Sequence, residues 1–474
     1  MFSSARLQEN DWRTMRVLKS LFAHKQCQSQ ETLFTLTDQS GTMNMFSLVV
    51  PLFFRQLCTV LLGTISMVIL TRVSEEAVTA VSVANTVINI PLNLITMIAN
   101  GMMIILSLSL GAGLTKNSDN LYVTGVLTAL FFSLFLSGVS FVAAYPLLRL
   151  MHIEGKILEL AVLYFRIRMG FIMFTALTGC ITAVLRAYGI AAPTLISGLL
   201  ENGVNVALSL CVISGNYSGN KVAGVAFAVV IGQLVGLLYS FAAMFYYKVV
   251  QQKGRFAISQ LWRILCVGIP SGLSLLTYVI TAAFSTSVIA SLGQTAVNVK
   301  VYTATISEYT YLFGYAMAQA GALMISRYVG GGRYAFANRM FHFNVFAVPL
   351  LDAMMAFVVF LFTNPLMHLF TDDPDLLAKV RVIFLIDILI ETARGQTHVG
   401  ENSLCNVADT VYTSVVSITS CVLIGACGSW LLCIKCGLGV YGYFIASALD
   451  ETVRGCLFRL RWHSGRWKAS AQRA

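Results

Sequence analysis

Residues 107–113 read SLSLGAG, and residues 326–332 read SRYVGGG. Each closes a long apolar run, and the two lie 219 residues apart. The same offset pairs Pro51 with Pro270, Ala77 with Ala296, Val78 with Val297 and Thr86 with Thr305. It continues without a gap through Pro146/Pro365, Leu147/Leu366, Leu150/Leu369, Leu185/Leu404 and Thr194/Thr413. Only before the last run does it slip to 218, pairing Gly224 with Gly442 and Ala228 with Ala446. A shared apolar composition explains matched leucines but not matched prolines and loop glycines in one register. The chain reads as an internal duplication.

What is duplicated follows from composition. Of 474 residues, 57% are hydrophobic and 11% charged, where a soluble domain carries about 25% charged residues. Mean hydropathy is +0.76. About twelve apolar runs reach spanning length, near 44–70, 78–108, 122–150, 160–185, 191–213, 222–248, 262–291, 297–327, 342–370, 376–404, 411–434 and 439–459; a bilayer core asks for about 20 residues each. The expected fold is an all-α integral membrane protein, with about twelve transmembrane helices in two six-helix bundles. Six spans per repeat is an even number, so the halves enter the membrane in the same sense and form a parallel repeat. The expected divisions are an N-terminal tail (1–43), a first bundle (44–248), a linker (249–261), a second bundle (262–461) and a C-terminal tail (462–474).

The net charge of +11 raises nucleic acid as a partner, and its distribution argues against it. Alternate loops carry Lys116, Arg186, Lys248, Lys253 and Arg255, then Arg327, Arg333 and Arg339, with the basic tails on the same side. The opposite loops mix Arg72, Lys156, Lys221 and Lys435 with Glu75, Glu76, Asp372, Asp373 and Asp375. The positive-inside rule then puts both termini in the cytoplasm of a cell-membrane protein. Residues 1–43 lack a signal peptide's apolar core and read as a tail with a short surface helix around Trp12–Phe22. Trp462 and Trp467 in the basic closing stretch read as anchors at the headgroups. Asn216-Tyr217-Ser218 is a glycosylation sequon. Eleven cysteines, mostly in apolar runs, read as small apolar residues. No HExxH, G-x-S-x-G or P-loop sequence occurs, so the common hydrolase and nucleotidase signatures are excluded.

One span departs from this apolar pattern. Asp387, Glu391, Arg394, His398 and Glu401 fall at offsets 0, 4, 7, 11 and 14 within the run 376–404. At about 100° per residue they share a stripe roughly 80° wide. Charges at membrane depth are costly and mark either a polar pathway or a buried ion pair that fixes packing. Both readings stand for these residues.

At this point the sequence resembles the multidrug and toxic compound extrusion (MATE) family of the multidrug/oligosaccharidyl-lipid/polysaccharide flippase superfamily. The resemblance runs over about 44–468. It rests on the early proline of each half (Val50-Pro51, Ile269-Pro270), on GTISMVILTRVSEEAVTAV, on the two glycine-closed stretches quoted above, on LRAYGIAAPT and LCNVADTVYT, and on ALDETVRG near the end. It implies two six-helix bundles around a cleft, and export of organic cations driven by inward H⁺ or Na⁺ through buried carboxylates. No cofactor and no obligatory protein partner are implied; the partners are a small-molecule substrate and the bilayer. Four positions depart from the family's pattern. Ser66, Ser209 and Ser274 stand where relatives carry carboxylates, and Arg394 stands where some carry a cation-binding Asp. Asn205 matches.

A serine neither holds a proton at pH 7 nor attracts Na⁺ as a carboxylate does. Ion coupling is therefore expected to fall on Asp387 and Glu391, tuned by Arg394 and extended by His398. Glu308, among Tyr309, Tyr311 and Tyr315, offers aromatic surface for an organic cation. Asp352 and Glu201 are weaker candidates. The expected activity is efflux of small amphipathic, cationic compounds. Flipping of a lipid-linked saccharide and a non-transporting membrane protein are the alternatives.

Overall fold

The structure is a computed structural model that describes residues 33–38, 41–71, 74–151, 153–214, 219–249, 254–368 and 373–473. The expected surface helix at Trp12–Phe22, the sequon at Asn216–Ser218, and the loop charges Arg72, Lys253 and Asp372 lie outside the described residues.

A short hairpin comes first: β1 (Thr35–Asp38) pairs antiparallel with β2 (Gly41–Asn44), Leu36 opposite Met43. Long helices follow: α1 (Met45–Thr71), α2 (Glu75–Gly111), α3 (Thr115–Arg149), α4 (Gly155–Gly170), α5 (Ile172–Ala187), α6 (Ala192–Ser214) and α7 (Lys221–Tyr246). The second half holds α8 (Ile258–Ala290), α9 (Gln294–Thr310), α10 (Leu312–Gly330), α11 (Tyr334–Leu361), the short α12 (Thr363–Met367) and α13 (Pro374–Asn406). Then come α14 (Thr410–Ser420), continued by π-helical turns at Cys421–Gly428 and Leu431–Lys435, then α15 (Val440–His463) and α16 (Trp467–Arg473).

Two expected spans are interrupted. α4 and α5 meet at a 45° bend around Phe171, and α9 gives way to α10 at Tyr311. Counting each interrupted pair once, and α14 with its π-turns, the described residues form twelve rods of span length. By length and composition eight of their helices are apolar enough to cross a membrane, or nine with the bent α4–α5 pair. The other rods, α9–α10, α13 and α15, carry the buried charges described below. Their apolarity is low because their polar faces turn inward. Prolines sit inside α1, α2, α3, α8 and α11, as spanning helices tolerate where neighbours re-satisfy the freed carbonyls.

The halves are joined at the end where the hairpin and α16 lie. There α2 and α10, which the repeat makes equivalent, cross with glycine on both sides. A Cβ on Gly111 would lie 2.3 Å from the Arg327 carbonyl oxygen, and one on Gly330 would lie 2.1 Å from that of Leu108. Leu108 and Arg327 are themselves 219 residues apart, so the crossing obeys the repeat. Deeper in, Gly101 and Gly268 bring α2 against α8 in the same way. Arg327, expected in a basic loop, is instead buried. Its guanidinium donates to the Ala187 carbonyl at the end of α5, at 2.7 and 3.1 Å, where a cation also meets the negative end of the helix. The hairpin covers this seam. Leu36 and Met43 are buried, Met43 lies against Gly189 of the first half, and Phe34 packs edge-on to Phe343 of the second.

The closing tryptophans do not make the expected headgroup contacts. Trp462 and Trp467 stack on each other, and Trp462 on Phe341, at centroid distances of 4.3 Å. Both are buried, and their indole N–H groups donate to Asn338 and to the Trp462 carbonyl.

Close helix crossings make a specific expectation. Gly111→Ala and Gly330→Ala should each destabilise the detergent-solubilised protein by about 1–3 kcal/mol, the usual cost of overpacking. Gly138→Ala, whose Cβ would meet nothing within 4 Å, should leave the thermal midpoint unchanged or higher.

Candidate functional site

Between the halves lies a cavity of about 670 Å³, within the 300–1,000 Å³ range of small-molecule sites. The first half contributes Leu52, Asn100, Met103, Ile104 and Arg186. The second half contributes nearly everything else.

The stripe on α13 supplies one wall. Asp387, Arg394, His398 and Glu401 all line the cavity, as their shared face requires. Glu391 is fully buried just behind it. One of its oxygens accepts from the Arg394 guanidinium, and the other has no partner among the described residues. Asp387 accepts from Ser307 at 2.6 Å, and Glu401 from Ser417 at 3.3 Å. The two readings of the stripe therefore share residues: Glu391 and Arg394 are an ion pair, while Arg394 and Asp387 line the cavity, Asp387 with no ion pair among the described residues.

α15 completes the network. Arg454 pairs with Asp450 at 2.9 Å and with Glu451 at 2.8 Å, and Glu451 also lies 3.7 Å from Arg394. Thr397 donates to the Glu451 carbonyl at 2.8 Å, tying α13 to α15. Ser420, where α14 passes into its π-turn, donates to Asp450 at 2.5 Å. The chain Glu391–Arg394–Glu451–Arg454–Asp450 is thus continuous across two helices. Its α15 members lie within the ALDETVRG stretch, three charges at i, i+1 and i+4 in an otherwise apolar span. That spacing was the available signal for them.

Tyrosines form the opposing surface. Tyr311, at the α9–α10 interruption, lies under the Arg394 guanidinium at 5.2 Å. The Tyr315 ring is 4.7 Å from His398. Tyr278 and Glu308 line the same space. The Tyr311 and Tyr315 rings flank His398, and its Nδ1 has no hydrogen-bond partner among the described residues.

The serine positions and Asn205 take no part in this network. Asn205 accepts from Ser209 at 3.3 Å on α6, and neither lines the cavity. Ser66 donates to the Leu62 carbonyl. Ser274 lines the cavity but donates to the Pro270 carbonyl. Arg186, expected in a basic loop, faces the cavity instead, and its Nε has no partner among the described residues. Among the described residues no group of three or more His, Cys, Asp or Glu side chains is arranged to hold a metal ion.

Comparison with known proteins agrees with this architecture. A family model described as MatE matches residues 51–211 and again 270–431, two segments whose starts are 219 residues apart. An uncharacterised transporter, YisQ of Bacillus subtilis, is 29% identical over 438 residues, covering 90% of this chain and 95% of its own. A probable multidrug resistance protein NorM of Listeria monocytogenes is 21% identical over 369 residues, covering 74% and 79%. Among solved structures, an outward-facing multidrug resistance MATE transporter superposes with a TM-score of 0.83 at 18% identity, covering 90% of this chain and 96% of that one. A Pyrococcus furiosus transporter, described as having a binding pocket of reversed polarity, superposes at 0.80 with 19% identity and the same coverage.

The network sets an energetic expectation. Arg394→Met leaves Glu391 buried and unpaired and should destabilise the protein by about 3–5 kcal/mol. Adding Glu391→Leu should restore most of that loss, read as the unfolding midpoint in detergent.

Proposed function

The chain belongs to the MatE family, and from that premise we propose that it is a secondary active exporter of small amphipathic, cationic compounds. It exchanges them for H⁺ or Na⁺ by alternating access between its two halves. The observation that carries this reading is the cavity itself: drug-sized, lined by Tyr278, Tyr311 and Tyr315, and bordered by Asp387 and Glu308. Aromatic faces and carboxylates together recognise an organic cation by cation–π attraction and charge, and the apolar lining takes its hydrocarbon part.

Access follows from the packing. In this reading the glycine crossings seal the cavity at the end where the hairpin lies. With both termini in the cytoplasm, the present arrangement is sealed inward, and transport requires the α2–α10 crossing to part. The relatives named as multidrug resistance proteins support the substrate class. A flippase for a lipid-linked saccharide calls for a cleft dominated by cations. Here Arg186, Lys300, Arg394 and Arg454 are matched by Glu308, Asp387, Glu401 and Glu451, so small-compound export fits better. The protein works in the bilayer as a transporter and not as an enzyme, with no cofactor or obligatory protein partner in the reading.

The test is ethidium efflux from an efflux-deficient host, with Na⁺ and pH gradients imposed separately. Efflux driven by one of the two gradients is expected, and absence of efflux of any tested cation by a well-expressed protein overturns the reading. Glu391→Gln should reduce transport more than Glu308→Gln, because it removes the counter-charge that positions Arg394. Wild-type transport in Glu391→Gln would leave that side chain a packing role.

A further inference from the structure

Among the buried acids outside the network, one stands apart. Asp352 on α11 has no exposed surface, and neither carboxyl oxygen has a hydrogen-bond partner among the described residues. Its surroundings explain both facts. A Cβ on Gly314 would lie 2.0 Å from Oδ1, and one on Gly395 would lie 2.8 Å from Oδ2. The carboxyl therefore occupies a slot between glycine backbones of α10 and α13. The repeat shows that slot and acid belong together. At the equivalent first-half positions stand Ile95 for Gly314, Ala176 for Gly395 and Ser133 for Asp352, and Ser133 simply donates to the Leu130 carbonyl.

The charges around Asp352 are bonded to other partners, while Arg394 and Glu391 of α13 act on it through space with opposite sign. On α13, Arg394 is held by Glu391 and Glu451. On α9, which also packs on α11, Lys300 is bonded to Thr286 and Glu308 faces the cavity. On α10, Tyr315 is against His398, and Arg327 reaches Ala187 at the far end. On α11 itself, His342 bonds the Asn338 carbonyl. An ionised carboxylate that is fully buried and accepts from no donor among the described residues is costly to keep there, and such a group neutralises by taking a proton. Hard cations need several oxygen ligands at once, whereas this slot offers one carboxyl flanked by glycine and by Pro349.

We propose that Asp352 is the proton-binding site of the transporter, protonated while α10 is packed on α11 and ionised when α10 withdraws and water enters. This rests on the antiport reading and selects H⁺ as the coupling ion. The O–H bond forms with a proton taken from water on one side of the membrane and breaks to water on the other. The linkage to substrate runs through one helical turn. Tyr311 and Tyr315 face the cavity, and Gly314 between them closes the slot. A ligand that moves the two tyrosines therefore moves the glycine against the acid.

Infrared spectroscopy of the purified full-length protein tests this without any substrate. At neutral pH the wild type should show the carbonyl stretch of a protonated carboxylic acid, shifted in D₂O. The band should be lost in Asp352→Asn and kept in Glu391→Gln. No such band in the wild type, or its persistence in Asp352→Asn, overturns the assignment. Adding ethidium to weakly buffered wild-type protein should release about one proton per molecule bound, and Asp352→Asn should bind without release; equal release from both overturns it. Failure of every cation to be transported would defeat the export reading while the infrared band still decides the proton site.

Discussion

Everything in the second half answers to one constraint: an ion removed from water must find a counter-charge or give up its charge. The idealised cost of moving a carboxylate into a low-dielectric medium is on the order of 20 kcal/mol, and several kcal/mol remain after relaxation. Five charged side chains on α13 and α15 meet that constraint by linking into one chain, Glu391–Arg394–Glu451–Arg454–Asp450. The network holds two helices in register and presents its edge, Arg394 with the nearby Asp387, to the cavity. Its stability role and its place at the site are one fact seen from two sides.

The second constraint is geometric. In the proposed alternating access, two bundles that separate and rejoin need a contact that is close yet not interlocked. Glycine crossings supply it, since backbone meets backbone with no side chains to disengage. The crossing at Gly111 and Gly330 is symmetric because the repeat is. The cavity beyond it is not symmetric. Asp387, Glu391 and Arg394 face Arg168, Ile172 and Thr175 across the repeat. Duplication thus accounts for the symmetric crossing, and divergence of one copy for the charged wall of the cavity.

How much of this was legible depended on the range of the interaction. The repeat and the helical content follow from local apolar runs and a fixed offset. The stripe follows from helical periodicity, and four of its five residues line one wall, with Glu391 just behind it. Arg186 and Arg327 were misplaced because charge near the end of an apolar run reads as loop, while here α5 and α10 continue and turn those arginines inward. Trp462 and Trp467 read as anchors because aromatic and basic residues alternate there. What buries them is Phe341, about 120 residues away, and no local pattern shows it. The ion chain needs α13 beside α15, a tertiary fact. Its α15 residues were visible only as charges out of place.

In the proposed cycle two halves, joined by a glycine crossing at one end, exchange access to a charged cavity. Pulsed electron paramagnetic resonance measures this directly. One label pair is placed at Leu114 and Ala335 beside the crossing, and another at Met151 and Gln294 at the opposite end, in a background without reactive surface cysteines. The account predicts that adding a transported cation, or changing pH, populates a second state with the first pair farther apart and the second pair closer. Single, unchanged distances for both pairs under every condition would contradict it.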